Sequence, residues 1–256
     1  MRKTLAAIAL TALAVTGCGS SGDDAEAGSK DGPSVVAAST WEAAFARAAG
    51  ATDVTVIVPA GVAHPPDYDP KPSDIAKVAR ADFVLYAPFE GFAGKLKEAA
   101  GSKAKLIEVK LDNSPAMVKG EVNRLAAAFG TAPAARTWTS SFDTAYAGLK
   151  KQVGDAYAGG GRPAFVSQAF VAWTADLLGA APAGTYGPQP PTPSQVAGLA
   201  AKKPALILDN SAMAGADALA SIKAERVTIV NFPGKDLDLI AMYRANAGLL
   251  TTALKS

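Results

Sequence analysis

Short apolar runs alternate with amphipathic helical segments along most of the chain, and this alternation limits the possible folds more than any other feature. The segments between the runs carry apolar residues at helical spacing. Strands that are apolar throughout are typical of parallel sheets covered by helices on both faces. The sequence therefore predicts an α/β fold with strands at Val35–Ser39, Val54–Pro59, Phe83–Ala87, Lys105–Val109, Ala164–Gln168, Ala205–Asp209 and Arg226–Phe232.

One long segment interrupts the alternation near the middle of the chain. Residues 136–158 contain no strand pattern, and Gly159–Gly161 follow them. The apolar residues of this segment recur at spacings of three and four, which is typical of one face of a helix. We expect a long helix that connects an N-terminal α/β lobe, residues 35–135, to a C-terminal α/β lobe, residues 159–256.

An internal repeat indicates that the two lobes are similar. Pro70–Ala79 and Pro191–Ala200 share the order Pro-x-Pro-Ser followed by a helical pattern, and a predicted strand follows each. We expect Ser73 and Ser194 to act as the helix N-caps. Two similar lobes with parallel sheets, joined by a connecting helix, leave a cleft between them.

Polar residues cluster in the loops that follow the predicted strands. In open α/β sheets, ligands bind beyond the carboxyl ends of the strands, so these loops should line the cleft. The residues concerned are His64, Asp67, Asp69, Glu90, Ser167, Gln168, Asp209, Asn210, Asn231 and Asp236.

The N-terminus resembles a bacterial lipoprotein signal. Arg2 and Lys3 precede an apolar stretch, Leu5–Val15, that is too short to span a bilayer as a helix. The stretch leads to Cys18, the only cysteine of the chain, and the pattern resembles a lipobox. We therefore expect residues 1–18 to be a signal peptide and Cys18 to carry the lipid. The alternative is an ordinary secretory signal with an incidental cysteine.

Composition narrows the possible partners. Residues 19–34 are mostly Gly, Ser, Ala and acidic, which is typical of a flexible tether. A single cysteine excludes a disulfide framework within the chain. The formal net charge is +2 without a cluster of Lys or Arg, which argues against nucleic acid as a partner. We expect a monomer, held at the extracytoplasmic face of the cell membrane by its lipid.

Four stretches resemble the solute-binding proteins of zinc- and manganese-type ABC importers. Val56–Gly61 is similar to the Val-Pro-x-Gly motif of that family, and Pro66–Asp74 to its Pro-His-x-Tyr-Glu-Pro-x-Pro-Ser-Asp motif. Phe89–Phe92 and Met242–Asn246 resemble further family motifs. The resemblance implies a two-lobed protein without enzymatic activity that captures a divalent metal ion, zinc or manganese, and delivers it to an ABC permease.

The chain departs from this family in its metal ligands. The family supplies two or three His with a Glu or Asp, whereas this chain contains a single His. The nearest candidates for metal ligands are His64, Glu90, Asp209 and Asp236, because imidazole and carboxylate groups bind such ions. Asp67, Asp69, Ser167, Gln168 and Asn231 are expected to line the cleft.

Two alternatives follow from the missing histidines. The same fold could bind a non-metal or chelated ligand, or could serve as a protein-interaction module. An extracytoplasmic hydrolase is the remaining alternative. The chain has no Gly-x-Ser-x-Gly and no phosphate-binding Gly-rich motif, and a catalytic triad would have to use His64.

Overall fold

The structure is a computed structural model that describes residues 32–157, 161–213 and 215–255. Cys18, the predicted signal peptide and most of the predicted tether lie outside these residues. None of the helices within the described ranges is long and apolar enough to cross a membrane.

The N-terminal lobe is a four-stranded parallel sheet with the strand order β2-β1-β3-β4. A 3₁₀ helix, Pro65–Asp67, lies between the second strand and the second helix. The elements in chain order are β1 (Ser34–Ala37), α1 (Thr40–Ala48), β2 (Asp53–Val56), α2 (Pro72–Val78), β3 (Phe83–Tyr86), α3 (Ala93–Ala100), β4 (Lys105–Glu108) and α4 (Pro115–Phe129).

A long helix, α5 (Ala132–Asp155), leads into a second parallel sheet with the order β6-β5-β7-β8. Two 3₁₀ helices, Ala169–Thr174 and Ala216–Leu219, follow its first and third strands. The other elements are β5 (Phe165–Gln168), α6 (Ala175–Leu178), β6 (Gly184–Tyr186), α7 (Pro193–Ala200), β7 (Leu206–Asn210), β8 (Glu225–Ile229) and α8 (Leu239–Ala253).

The two sheets have the same strand order, with the first strand of each lobe next to the second and the third. The predicted fold class, two similar parallel α/β lobes joined by a long helix, is therefore confirmed. The repeat noted in the sequence forms α2 and α7, which occupy equivalent places in the two lobes.

The prediction that serines cap the repeat helices is wrong. The N-caps are Lys71 and Thr192, and each helix begins at the proline that follows. Proline is favoured at the first helical position because its φ is already helical and it has no N–H to leave unpaired. Ser73 and Ser194 therefore lie within the first helical turn.

The helices α5 and α8 pack against each other through an aromatic cluster. The Phe142 ring stacks on Trp138 at a centroid distance of 5.0 Å and meets Tyr243 edge-on at 5.3 Å. The hydrophobic core around this cluster extends from Phe45 in the first lobe to Phe165 in the second. A core shared by both lobes restricts their relative motion, because separating them would expose this apolar surface.

Candidate ligand-binding cleft

A cavity of about 670 Å³ lies between the two lobes, at the carboxyl ends of the parallel strands. Loops from both sheets form its wall, as expected for an open α/β architecture. Its aromatic side chains are Trp41, Phe89, Phe170, Trp173 and Phe232. A cavity of this size and apolar character is typical of a site for a small molecule.

The inner wall contains a hydrogen-bonded bridge between the lobes. The side-chain amide of Asn113 donates to the backbone oxygen of Asn231 at 2.8 Å and to its Oδ1 at 2.9 Å. Trp173 Nε1 also donates to Asn231 Oδ1, at 3.0 Å. Tyr243 donates its hydroxyl hydrogen to the backbone oxygen of Asn113. Asn231 lines the cavity, and its Oδ1 already accepts from two donors.

His64 lies on the cleft wall, in the loop between β2 and α2, together with Asp67. The Nδ1 atom of His64 is 2.9 Å from Asp67 Oδ2, and the His64 side chain is 39% exposed. Nδ1 has no hydrogen bond despite this distance, so the pair is a close approach of two groups rather than a hydrogen bond. Nε2 is the other ring nitrogen with which His64 could bind a ligand. No serine of the described residues hydrogen-bonds His64, so the arrangement gives no support to a catalytic triad.

Glu90 is buried behind the cleft wall, beside a second buried carboxyl group, that of Glu42. Its Oε2 accepts a hydrogen bond from the backbone N–H of Ala87 at 2.8 Å. Burial, with the repulsion of Glu42, raises the pKa of Glu90 to about 9. Burial raises the pKa of Glu42 as well, while the hydrogen bond from Ser39 opposes that rise.

The other two residues predicted as metal ligands also lie off the cavity wall. Asp209 Oδ1 accepts a hydrogen bond from the Tyr186 hydroxyl group at 3.0 Å. Asp236 Oδ1 accepts one from the backbone N–H of Asp238 at 3.4 Å, just before α8. The structure therefore does not bring His64, Glu90, Asp209 and Asp236 together. Within the described ranges, no group of three or more His, Cys, Asp or Glu side chains could hold a metal ion.

The remaining residues expected to line the cleft have structural contacts. Asp69 is exposed and pairs with Lys95 at 2.6 Å. Ser167 is buried and donates to the backbone oxygen of Gln168 at 3.0 Å. Gln168 is buried too, and its Oε1 accepts from the backbone N–H of Phe170 at 2.7 Å. Gln168 therefore fixes the backbone that carries one of the cleft aromatics.

Sequence reasoning missed most of the aromatic wall, because it looked for polar residues after the strands. Phe89 and Phe170 each follow a strand within a few residues, and large apolar residues in such loops were the available signal. Asp67 and Asp112 are the acidic residues of the wall, which contains no Lys or Arg among the residues the structure describes. The cleft can therefore enclose a small molecule or ion that carries no negative charge.

Comparison with known proteins agrees with this architecture. The family model for the periplasmic zinc-uptake complex component A matches residues 35–128. No curated protein sequence matches the chain.

Solved structures of metal-binding proteins share the fold. The laminin-binding protein Lmb of Streptococcus agalactiae, described as a bifunctional adhesin and metal transporter, is 20% identical with a TM-score of 0.66, over 88% of this chain and 100% of that one. The manganese-bound periplasmic metal-binding protein of Candidatus Liberibacter asiaticus is 14% identical, with a TM-score of 0.67. The match covers 87% of this chain and 99% of that one.

The solute-binding protein FpvC of P. aeruginosa, solved with Ni²⁺, is 16% identical with a TM-score of 0.66, over 86% of this chain and 94% of that one. The predicted resemblance is thus confirmed. The chain has the fold of metal-binding solute-binding proteins, and its residues 35–128 match the zinc-uptake component A family.

Proposed function

We propose that the chain is the solute-binding component of an ABC importer for divalent metal, and that it captures its cargo in the cleft between the lobes. The observation that carries this proposal is the interlobe cavity, formed by two parallel sheets in the fold of the metal-binding proteins above. The matched zinc-uptake family supports the same role. In this role the protein binds cargo, docks on the permease as a monomer and releases it, with no bond made or broken.

The cargo proposed first is zinc or manganese, with His64 as the protein's ligand. Metal-binding histidines usually direct their other ring nitrogen at a carboxylate, which fixes the ring orientation. Asp67 Oδ2 is 2.9 Å from His64 Nδ1 without a hydrogen bond between them, so the carboxylate is close enough for this role and we expect a bound metal to align the two groups. Water or donor atoms of the cargo would complete the coordination, because Glu90, Asp209 and Asp236 lie off the wall.

The second candidate is an organic solute or a chelated metal. It is favoured by the five aromatic residues of the wall and by the absence of a ligand cluster within the described ranges. Both candidates use the same cleft and the same permease, and they differ in whether a bare ion suffices for binding.

Metal binding can be tested by thermal unfolding of the chelator-stripped chain with added zinc, manganese or nickel. A ligand at one hundred times its dissociation constant stabilises the native state by about 2.7 kcal/mol, a shift of several degrees. We expect His64→Ala to abolish the shift and Asp67→Asn to reduce it. Asp69→Asn is the matched control, since Asp69 is exposed and pairs with Lys95 off the wall. The absence of a shift with every metal would leave the second candidate.

We further propose that the protein acts outside the cytoplasm, anchored to the cell membrane through lipid on Cys18. The support is the sequence of residues 1–18, in which Arg2 and Lys3 are followed by the apolar stretch Leu5–Val15 and then by a lipobox-like segment that ends at Cys18. Cys18→Ser should release the protein from the membrane fraction of expressing bacteria and remove labelling by a radioactive or clickable fatty acid. Unchanged labelling in Cys18→Ser would contradict the anchor.

A further inference from the structure

Two phenylalanines are held in exposed positions on opposite walls of the cleft. Phe89 is 57% exposed and Phe170 is 51% exposed, more than any other large hydrophobic residue among those described. Phe89 follows β3 in the N-terminal lobe, and Phe170 follows β5 in the C-terminal lobe. Exposure of such apolar surface is unfavourable, so two rings on the same cavity indicate a surface that a ligand covers.

Buried polar side chains fix the backbone at both rings. Next to Phe89, the Glu90 carboxyl accepts from the Ala87 N–H at 2.8 Å, and Glu90 is only 4% exposed. The Gln168 side chain, 2% exposed, accepts from the N–H of Phe170 itself at 2.7 Å. Neither ring packs against another aromatic ring of the described residues. The backbone that carries the two rings is therefore fixed, while neither ring has an aromatic partner among the described residues.

Two buried polar atoms on the same wall lack a partner. Trp41 Nε1 and Asn113 Oδ1 have no hydrogen bond, although both side chains are at least nine-tenths buried and both residues line the cavity. Most buried polar groups are paired, and an exception calls for an explanation. One atom is a donor and the other an acceptor, so a ligand that presents both kinds of group to this wall would satisfy them.

The charge of the wall restricts the ligand further. Asp67 and Asp112 contribute negative charge, and no Lys or Arg lies on the wall within the described part of the chain. An anionic ligand would enter this site without a counter-charge, which is costly in a partly desolvated cleft. A neutral or positively charged ligand meets no such penalty.

From these observations we infer that the cargo of the cleft is a planar aromatic molecule or metal chelate, neutral or cationic, whose rings stack on Phe89 and Phe170. The inference rests on the proposed function, since it names the chemical class of the cargo in the same site. In a chelate, His64 can supply a donor to the metal while the aromatic wall binds the chelator. A bare ion would leave both phenylalanines uncovered.

Titration calorimetry on the full chain tests this inference with four probes: zinc sulfate, 1,10-phenanthroline, the equimolar zinc–phenanthroline complex, and zinc–EDTA. Phenanthroline is planar and aromatic, its zinc complex is cationic, and the EDTA complex is anionic without rings. We expect the aromatic probes to bind, the zinc–phenanthroline complex more tightly than zinc alone, and zinc–EDTA not to bind. Binding of free phenanthroline alone would identify the cargo as organic, and tighter binding of the complex would identify it as a chelate.

Variants assign the effect to the two rings. Aromatic contacts of this kind correspond to about a 3- to 10-fold change in affinity each. Phe89→Ala and Phe170→Ala should each weaken the aromatic probes by that factor and leave zinc binding unchanged. Leu249→Ala is the matched control, because Leu249 is 42% exposed on α8 and does not line the cavity.

The outcomes separate this inference from the proposed function. Zinc binding that depends on His64, with no gain from phenanthroline and no effect of either phenylalanine, would overturn the inference and leave the metal-importer role intact. Ring-dependent binding of the aromatic probes without binding of bare zinc would support the inference and remove the bare ion as cargo. Failure of every probe would overturn the inference, and failure of every metal in the thermal test would separately remove the bare-metal cargo.

Discussion

Asn113 in the loop after β4 donates its side-chain amide to both oxygens of Asn231 in the loop after β8, at 2.8 Å and 2.9 Å. This contact joins the two lobes at the inner wall of the cleft. Trp173 Nε1 donates to the same Asn231 Oδ1 at 3.0 Å, so three buried side chains meet at this point.

Loss of the bridge should destabilise the protein. Asn231→Ala leaves Trp173 Nε1 buried without an acceptor, at a cost of about 1–3 kcal/mol, whereas the Asn113 amide loses one of its two acceptors and keeps the backbone oxygen of residue 231. We expect the free energy of unfolding to fall by about 1–3 kcal/mol, as measured by urea denaturation. Asn123→Ala, at an exposed position on α4, should change it by less than about 0.5 kcal/mol. Equal effects of the two variants would contradict the bridge.

The carboxyl pair of Glu42 and Glu90 predicts a pH dependence of stability. The pKa of Glu90 is raised to about 9, so the folded state holds this proton more tightly than the unfolded chain does. The contribution of Glu90 to stability is therefore complete below about pH 4.5 and is lost as the pH rises toward 9, by up to about 1.4 kcal/mol per pH unit. Urea unfolding should show a less stable protein at pH 8 than at pH 6.

Glu90→Gln should reduce this loss, because glutamine cannot release the proton and can still accept from the Ala87 N–H. Any loss of stability with pH that remains in this variant would come from Glu42, because burial also raises the pKa of Glu42. Glu98→Gln on α3 is the control, since that residue is exposed. If the free energy of unfolding of Glu90→Gln fell with pH as steeply as that of the wild type, the pH dependence would not come from the buried carboxyl group of Glu90.

The aromatic cluster under α5 should dominate the stability of the connection between the lobes. Phe142 is 1% exposed and contacts the rings of Trp138, Tyr146 and Tyr243. Truncation of such a buried ring costs about 3–5 kcal/mol, so we expect a large decrease in the urea midpoint for Phe142→Ala. Phe170→Ala makes the same substitution at an exposed ring and should cost less than about 1 kcal/mol. Similar midpoints for the two variants would contradict this packing.

The N-cap of α7 distinguishes the observed helix start from the one that the sequence predicted. Thr192 Oγ1 accepts from the N–H of Gln195, and the Gln195 side chain accepts from the Thr192 N–H. Thr192→Ala should cost about 1 kcal/mol in thermal or urea unfolding. Ser194→Ala should be neutral or slightly stabilising, because Ser194 lies within the helix and alanine is the better helix former. A larger loss of stability in Ser194→Ala than in Thr192→Ala would instead indicate that Ser194 is the N-cap.

The fold was predictable because its main signals are local. Each of the seven predicted strands overlaps an observed one, since a run such as Phe83–Ala87 is both apolar and bounded by loop residues. Strand β6, Gly184–Tyr186, was missed because it has three residues and no apolar run. The helix predicted over residues 136–158 is observed as Ala132–Asp155, with a proline in its first turn.

The cleft was less predictable, because its wall depends on contacts between distant parts of the chain. The bridge joins residues 118 positions apart, and no local pattern indicates that Asn113 and Asn231 meet. Glu90 follows a strand, as a cleft residue should, yet its side chain turns inward to the N–H of Ala87. A residue that follows a strand in the sequence can thus be placed at the edge of the sheet, but the sequence does not predict the direction in which its side chain points.

The central claim is that cargo binds between the lobes with His64 as a ligand. The most direct test is a crystal structure of the chain grown with zinc and phenanthroline, with data collected at the zinc absorption edge. The account predicts an anomalous peak in the cleft, about 2.0–2.1 Å from His64 Nε2, with aromatic density against Phe89 and Phe170. A zinc site elsewhere on the protein, with the cleft and the His64 ring free of density, would contradict it.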